Sequence, residues 1–244
     1  MRIPRCYEPQ PLVPGDNLLL GDGNVQHLAR TLRMRPGDKV LLFNGDGREY
    51  DAVLVEVEKR RVLAQIDDAR ESGREPVLPV HIGQCLSRGE RMDYAVQKAT
   101  EMGMMQMTPL FSERCEVRLN SERQDKRVRH WQQVAISACE QSLRCSVPEI
   151  AEPAPLQDWV RTVDADLKLV LHHHSAVPLG TLPRPDSVAL LIGPEGGLSE
   201  TEVEMAVAAG FQPVRFGPRV LRTETAPVAA QAILQYLWGD LGNA

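Results

Sequence analysis

A strand, a glycine-rich loop and a helix start follow one another in Leu190-Leu-Ile-Gly193-Pro194-Glu195-Gly196-Gly197-Leu198-Ser199-Glu-Thr-Glu202, and this run constrains the fold of the 244-residue chain more than any other feature. Ser199 and Glu202 have the spacing of a capping box, so the loop delivers whatever it binds to a helix N-terminus. An apolar strand ending in such a loop suits a parallel α/β sheet, where ligands collect at the carboxyl ends of strands. The loop matches neither G-x-G-x-x-G nor the P-loop, and it holds Glu195 with no lysine. A carboxylate there repels pyrophosphate. The expected ligand therefore lacks phosphate, as a nucleoside or a sulfonium cation does, and meets backbone N–H and C=O groups. A tight packing turn is the alternative use of the same glycines.

A second loop of the same kind, Phe216-Gly217-Pro-Arg-Val220-Leu221-Arg222-Thr-Glu224-Thr-Ala-Pro227, gathers two arginines, a carboxylate and two hydroxyls. After Glu224 no charge appears until Asp240, while Ala226, Ala229, Ala230, Ile233, Leu234 and Leu237 recur at helical spacing. A helix without charge on any side is buried in a core or against a partner.

The alternation of elements places these loops in the second of two domains. Up to residue 72, short apolar strands at 17–20, 39–43, 50–57 and 61–66 alternate with turns at Gly37, Gly45 and Gly47, and one helical stretch covers 27–34. This pattern predicts a small β-barrel or curled sheet. The charged stretch 67–76, broken by Gly73 and Pro76, reads as an exposed linker. From residue 77 strands and helices take turns: strands at 77–86, ending near 111, and at 167–171, 188–192 and 213–216, with helices over 89–102, around 128–138 and at the end. That order implies a mainly parallel sheet covered on both faces.

Composition bounds the function. The longest apolar runs fall short of the roughly 18 residues a membrane span needs, so no membrane role is expected. Five cysteines without a Cys-x-x-Cys pair fit reduced thiols and a cytoplasmic location. No metal is expected, because His172, His173 and His174 on an extended segment point alternately to opposite faces. Ser, His and Asp occur without a G-x-S-x-G elbow, which leaves a hydrolase triad without local support. Only five of the 28 basic residues are lysine. Arginine suits phosphate and stacks on bases, although a GC-rich genome yields the same bias. Residues 1–74 are neutral, with ten Arg and two Lys against twelve Asp or Glu, yet Arg30, Arg33 and Arg35 crowd the helical stretch, with Arg5 nearby in sequence. Such a cluster is a local phosphate footprint or a solvated arginine face. At this level three classes stay open: a transferase for a phosphate-free cofactor, a nucleotide-dependent α/β transferase or oxidoreductase acting on a small molecule, and a non-catalytic ribosomal RNA-binding module.

Gly193-Pro-Glu-Gly-Gly197 followed by Gly217-Pro-Arg-Val-Leu-Arg-Thr-Glu-Thr225 resembles the signature of the small-subunit (16S) ribosomal RNA uracil-N3 methyltransferases of the SPOUT superfamily. Ser87-Arg-Gly-Glu-Arg91, Gln97-Lys-Ala-Thr-Glu101, Phe111-Ser-Glu-Arg-Cys115 and Cys139-Glu-Gln141 resemble that family's middle motifs in the same order. The resemblance implies an N-terminal PUA-like β-barrel over 1–72 and a C-terminal α/β knotted trefoil methyltransferase domain over 73–244. It implies S-adenosylmethionine held by Leu171 and His172, by Ile192, Gly193, Pro194, Glu195, Gly196 and Gly197, and by Phe216, Gly217, Val220, Leu221 and Arg222. It further implies methylation of N3 of a uridine in 16S rRNA of the small subunit, and a homodimer with the last helix at the partner. Arg222 is then expected to face the uracil anion or a phosphate, and Glu224 to act as base or as a helix-start carboxylate. Arg88 and Arg91 join Arg5, Arg30 and Arg33 as expected RNA contacts.

Overall fold

The computed structural model describes residues 3–117, 120–172, 179 and 182–242. It divides into two compact units, residues 1–75 with 139–147 and residues 76–138 with 148–244. The return of 139–147 to the first unit has no counterpart in the sequence reading.

In the first unit, β1 (Arg5–Tyr7), β2 (Asn17–Leu19), β3 (Lys39–Phe43), β4 (Arg48–Glu58) and β5 (Arg61–Glu71) form one sheet in the order β1-β3-β4-β5-β2. All its pairings are antiparallel except β1 with β3. Gly45 and Gly47 take φ of +100° and +87° in the β3–β4 turn, a region other residues enter only with strain. Val40, Leu42, Leu54, Val62 and Ile66 alternate along the strands and close over Leu28, which buries the apolar face.

Two sequence expectations are corrected here. The helical stretch expected at 27–34 begins earlier, as α1 (Asp22–Val25), and runs into a π-helical segment, Gln26–Thr31. It stops before Arg33, whose φ is +54°. The expected linker at 67–76 is strand as far as Glu71, because its charges pair across the ladder. Arg48 Nε bonds Glu71 at 2.9 Å and Arg70 bridges Glu49 and Asp51.

Arg5 is the third correction: it is buried rather than offered to RNA. Its Nε donates to Glu49 Oε1 at 2.8 Å, Nη1 to the Cys139 carbonyl at 2.9 Å, and Nη2 to the Arg144 carbonyl at 2.9 Å. The guanidinium lies 4.3 Å from the Phe43 ring centroid. With its fork turned to interior acceptors and its side chain only 4% exposed, Arg5 is closed to a phosphate, and the same bonds hold the 139–147 segment to the sheet.

In the second unit, β6 (Val80–Cys85), α2 (Arg91–Glu101), β7 (Gln106–Phe111), α3 (Ser121–Ser142), β8 (Glu149–Ile150), β9 (Ala154–Pro155), α4 (Leu156–Thr162), β10 (Leu167–Leu171), β11 (Val188–Ile192), α5 (Glu200–Ala208), β12 (Gln212–Val214) and α6 (Thr225–Trp238) follow in order. The strands lie β12-β10-β11-β6-β7-β8, with β9 also on β7, and every pairing is parallel. Alternation along β11 sorts the core into two layers. Val188, Leu190 and Ile192 pack with residues of α2, α3 and α6, whereas Ala189 and Leu191 pack with residues of α4 and α5. Gly83 on β6 has no alternative residue, since a Cβ there would stand 2.6 Å from the Trp159 ring.

Candidate active site

The two glycine-rich loops and the Leu171–His172 segment leave adjacent parallel strands at the same edge of the sheet. Leu171 is in register with Val214, and the His172 N–H donates to the Val214 carbonyl at 3.0 Å. Ile192 is in register with Gln84, so the loop after β6 that carries Ser87–Glu90 opens at the same edge. Four strand ends thus put Leu171, Gly193, Phe216 and Arg88 into one neighbourhood, an arrangement that chain order alone would not give.

Close approach explains the glycines. A Cβ on Gly193 would meet Leu198 Cγ at 3.0 Å and its backbone N at 3.1 Å, and one on Gly196 would meet Arg114 Cβ at 3.3 Å. Gly197 and Gly217 adopt φ of +70° and +74°. The loop then enters α5 through a complete capping box. Ser199 Oγ accepts from the Glu202 N–H at 3.2 Å, and Glu202 accepts from the Ser199 N–H at 2.9 Å. The second oxygen of Glu202 accepts from the Glu113 N–H at 2.8 Å, and Arg114 Nη1 donates to the Gly196 carbonyl at 3.1 Å, so the chain after β7 braces the loop.

A buried polar chain ties the two glycine loops together. Gln84 Nε2 donates to Thr223 Oγ1 at 2.9 Å, and that hydroxyl donates to the Gly193 carbonyl at 2.9 Å. Gln84 is fully buried and its Oε1 has no partner among the described residues. Sequence reasoning did not single out Gln84, and it quoted Thr223 and Arg114 within motifs without giving either a role. The available signal was a lone amide inside the apolar run of β6.

Glu195 does not point its charge into open space. Its Oε1 accepts from the Arg88 N–H at 3.0 Å and from the Arg91 guanidinium. Burial pushes its pKa up, but hydrogen bonds from the backbone N–H of Arg88 and of Glu195 itself, with Arg91 beside it, outweigh that and hold the carboxyl below its usual value. Glu224 lies 3.9 Å from Arg91 Nε and 4.0 Å from Arg222 Nη1. It occupies the N-cap position of α6 but makes no side-chain cap bond, so its carboxylate is not spent on the helix start. Arg222 is largely exposed, and so is Val220, at 80%. Beside Glu224 and Thr225 opens a cleft of about 990 Å³, lined also by Arg88, Arg91, Tyr94, Gln97 and Val134.

This geometry belongs to a known class. Residues 74–235 match the RNA methyltransferase domain and residues 20–67 the RNA methyltransferase PUA domain. The chain is 35% identical to Ribosomal RNA small subunit methyltransferase E of Buchnera aphidicola subsp. Schizaphis graminum over 98% of both chains. It belongs to this RNA methyltransferase family. The Bacillus subtilis Ribosomal RNA small subunit methyltransferase E is 31% identical over 87% of each chain. Among solved structures, a Legionella pneumophila protein in complex with the cofactor SAM superposes with a TM-score of 0.95 at 41% identity, covering 99% of this chain and all of that one. A Ribosomal RNA small subunit methyltransferase E from Neisseria gonorrhoeae, bound to S-adenosyl methionine, gives 0.93 at 39% identity, covering 98% of this chain and 100% of that one.

Within this family member the expected cofactor residues divide by exposure. Ile192 and Pro194 are buried, while Leu171, His172, Gly193, Gly197, Phe216 and Leu221 are half-buried at the strand ends. Glu195, Gly196, Gly217, Val220 and Arg222 are exposed. Arg30, Arg33, Arg88 and Arg91 are accessible, and Arg5 alone of the five expected RNA contacts is not. His173 and His174 lie outside the described residues; among the described residues no group of three or more His, Cys, Asp or Glu could hold a metal.

Proposed function

We propose that this chain is a cytoplasmic enzyme that methylates N3 of a uridine in 16S ribosomal RNA of the small subunit, using S-adenosylmethionine. The observation that carries the reading is the convergence of Leu171–His172, Gly193–Gly197 and Phe216–Arg222 at one edge of adjacent parallel strands. The fit to this cofactor rests on the same edge: glycines where a Cβ would collide with the loop, and no lysine in the loop to favour a pyrophosphate. Residues of these three segments would hold the cofactor, which supplies an electrophilic methyl group when bound.

The remaining chemistry belongs to the chain. Uracil N3 carries a proton that leaves before or as nitrogen attacks, and the displacement is in line, so positioning and a proton acceptor suffice. Glu224 is the proposed acceptor. It lines the cleft, and its carboxylate is free of the capping duty that competes for such residues. Arg222, exposed and always cationic, stabilises the uracil anion. Arg30, Arg33, Arg88 and Arg91 meet phosphates. The closed barrel, the trefoil knot and a homodimer formed through α6 complete the proposal; the exposure of Tyr236 and Leu237 on that helix supports the last.

Mass mapping of 16S rRNA from cells with and without the protein tests the reaction. The expected result is one uridine whose N3 methyl group disappears with the protein. An unchanged methylation map, or loss of a methyl group from another atom, refutes it.

A further inference from the structure

The first half of α3 carries a strip of cations that the site described above does not use. Arg123, Lys126 and Arg127, with the His130 imidazole among them, fall within about 100° of arc at 3.6 residues per turn, and all four residues are exposed. Glu122 and Asp125 lie outside that arc, with exposed Arg129 between them, so the arc itself holds no carboxylate from this half of the helix. Neither Arg123, Lys126 nor Arg127 makes an ion pair with a described residue. This concentration stands out in a chain whose net charge is −5.

The strip has a direction. Continuing by helical steps from Arg123 through Arg127 and His130, the same face reaches Val134, which lines the large cleft beside Glu224. Arg127 also lines a smaller hollow of about 160 Å³ together with Arg88, Gly89 and Trp131, and Arg88 and Gly89 line the large cleft as well. Asp93 fixes the placement of the helix. It accepts from His130 Nε2 at 2.7 Å and from Trp131 Nε1 at 3.1 Å, which ties α3 to the first turn of α2. The cations therefore sit on a braced helix that leads into the cleft.

We infer that Arg123, Lys126 and Arg127 form a phosphate track that holds the single-stranded RNA flanking the target nucleotide and leads it to the cleft. The inference rests on the reading of the protein as an RNA methyltransferase and adds an RNA contact in the second unit. Exposed cations with no ion-pair partner among the described residues recognise a backbone and not a base, so the track contributes affinity and orientation without sequence preference.

The test compares wild type with the triple variant Arg123→Gln/Lys126→Gln/Arg127→Gln, and with Arg123→Lys/Arg127→Lys, which keeps the charge. Binding to small ribosomal subunits purified from cells lacking the enzyme is measured over a series of KCl concentrations, beside S-adenosylmethionine calorimetry and methyl transfer. Three lost phosphate contacts at roughly 0.7 each should flatten the slope of log K against log salt by about 2. KM for subunits should rise at least tenfold, while kcat and cofactor affinity stay at wild-type values and the double lysine variant behaves as wild type. An unchanged salt slope in the triple variant overturns the track and leaves the enzymatic reading intact. Equal loss of cofactor binding and subunit binding in both variants overturns it too, because damage to the fold would then account for the effect. A wild-type protein that does not methylate the subunits refutes the enzymatic reading, and the track with it.

Discussion

Acid should unfold the second unit through one histidine. His81, on β6, is packed under Trp159, and burial pulls its pKa from 6.5 down to about 4. Its Nε2 is an acceptor, because the Trp159 indole N–H, which can only donate, points at it from 3.3 Å, and Thr108 Oγ1 lies at 2.8 Å. Protonation would set N–H against N–H in a site with little water. The folded state thus binds the proton more weakly than the unfolded chain does, and stability rises with pH wherever the unfolded chain holds the extra proton. The contribution is complete above pH 6.5 and declines as pH falls from 6.5 to about 4. At 1.36 kcal/mol per pH unit that interval corresponds to about 3 kcal/mol, a large part of the stability of an ordinary domain. Tryptophan fluorescence isolates the transition, since Trp131, Trp159 and Trp238 all belong to the second unit. Urea unfolding of wild type and His81→Gln at pH 7.5, 6.0 and 5.0 gives a difference in which the carboxylates cancel. Wild type should lose its advantage progressively toward pH 5. A difference that stays flat across the series would refute the argument.

Four further outcomes follow from particular contacts. Gly83→Ala drives a methyl group to 2.6 Å from the Trp159 ring and 2.9 Å from Leu110, and should cost about 1–3 kcal/mol in urea unfolding. Ser199→Ala removes one half of the α5 capping box and should cost about 1 kcal/mol, with faster amide exchange in the first turn of that helix. Glu49→Gln leaves the Arg5 charge buried without its carboxylate and should lower first-unit stability by about 3–5 kcal/mol in thermal unfolding followed by circular dichroism. Glu224→Gln should lower kcat for methyl transfer roughly 100-fold at unchanged cofactor affinity; wild-type turnover in that variant would remove Glu224 from the role of base.

The sequence disclosed what is periodic and local. β11 was legible to the residue because a strand buried on both faces reads as an unbroken apolar run, β10 because its apolar run is broken only by Lys168, and Ser199 with Glu202 announced the capping box that the structure contains. The charged stretch after residue 66 was misread because alternating ion pairs across a ladder and a solvated linker share one composition; only the partner strand separates them. The link between Gln84 and Thr223 escaped notice for a related reason, since a hydrogen-bonded chain across 139 residues of sequence leaves no spacing to find.

The arginines carry this argument furthest. Arg5 and Arg127 look alike in composition, yet one is enclosed by two carbonyls, a carboxylate and an aromatic ring, and the other is exposed on a helix with no ion-pair partner among the described residues. A guanidinium takes whichever acceptors the fold brings within reach. The 139–147 segment is the last turn of α3 and the chain after it, and the carbonyls of Cys139 and Arg144 that it offers make Arg5 structural. On the first turns of α3 the backbone carbonyls are already used within the helix, so its cations remain available to an external anion. Which arginines of this protein stay open to an external anion is therefore decided by where the backbone has no carbonyl left to offer, and that is a property of the folded chain.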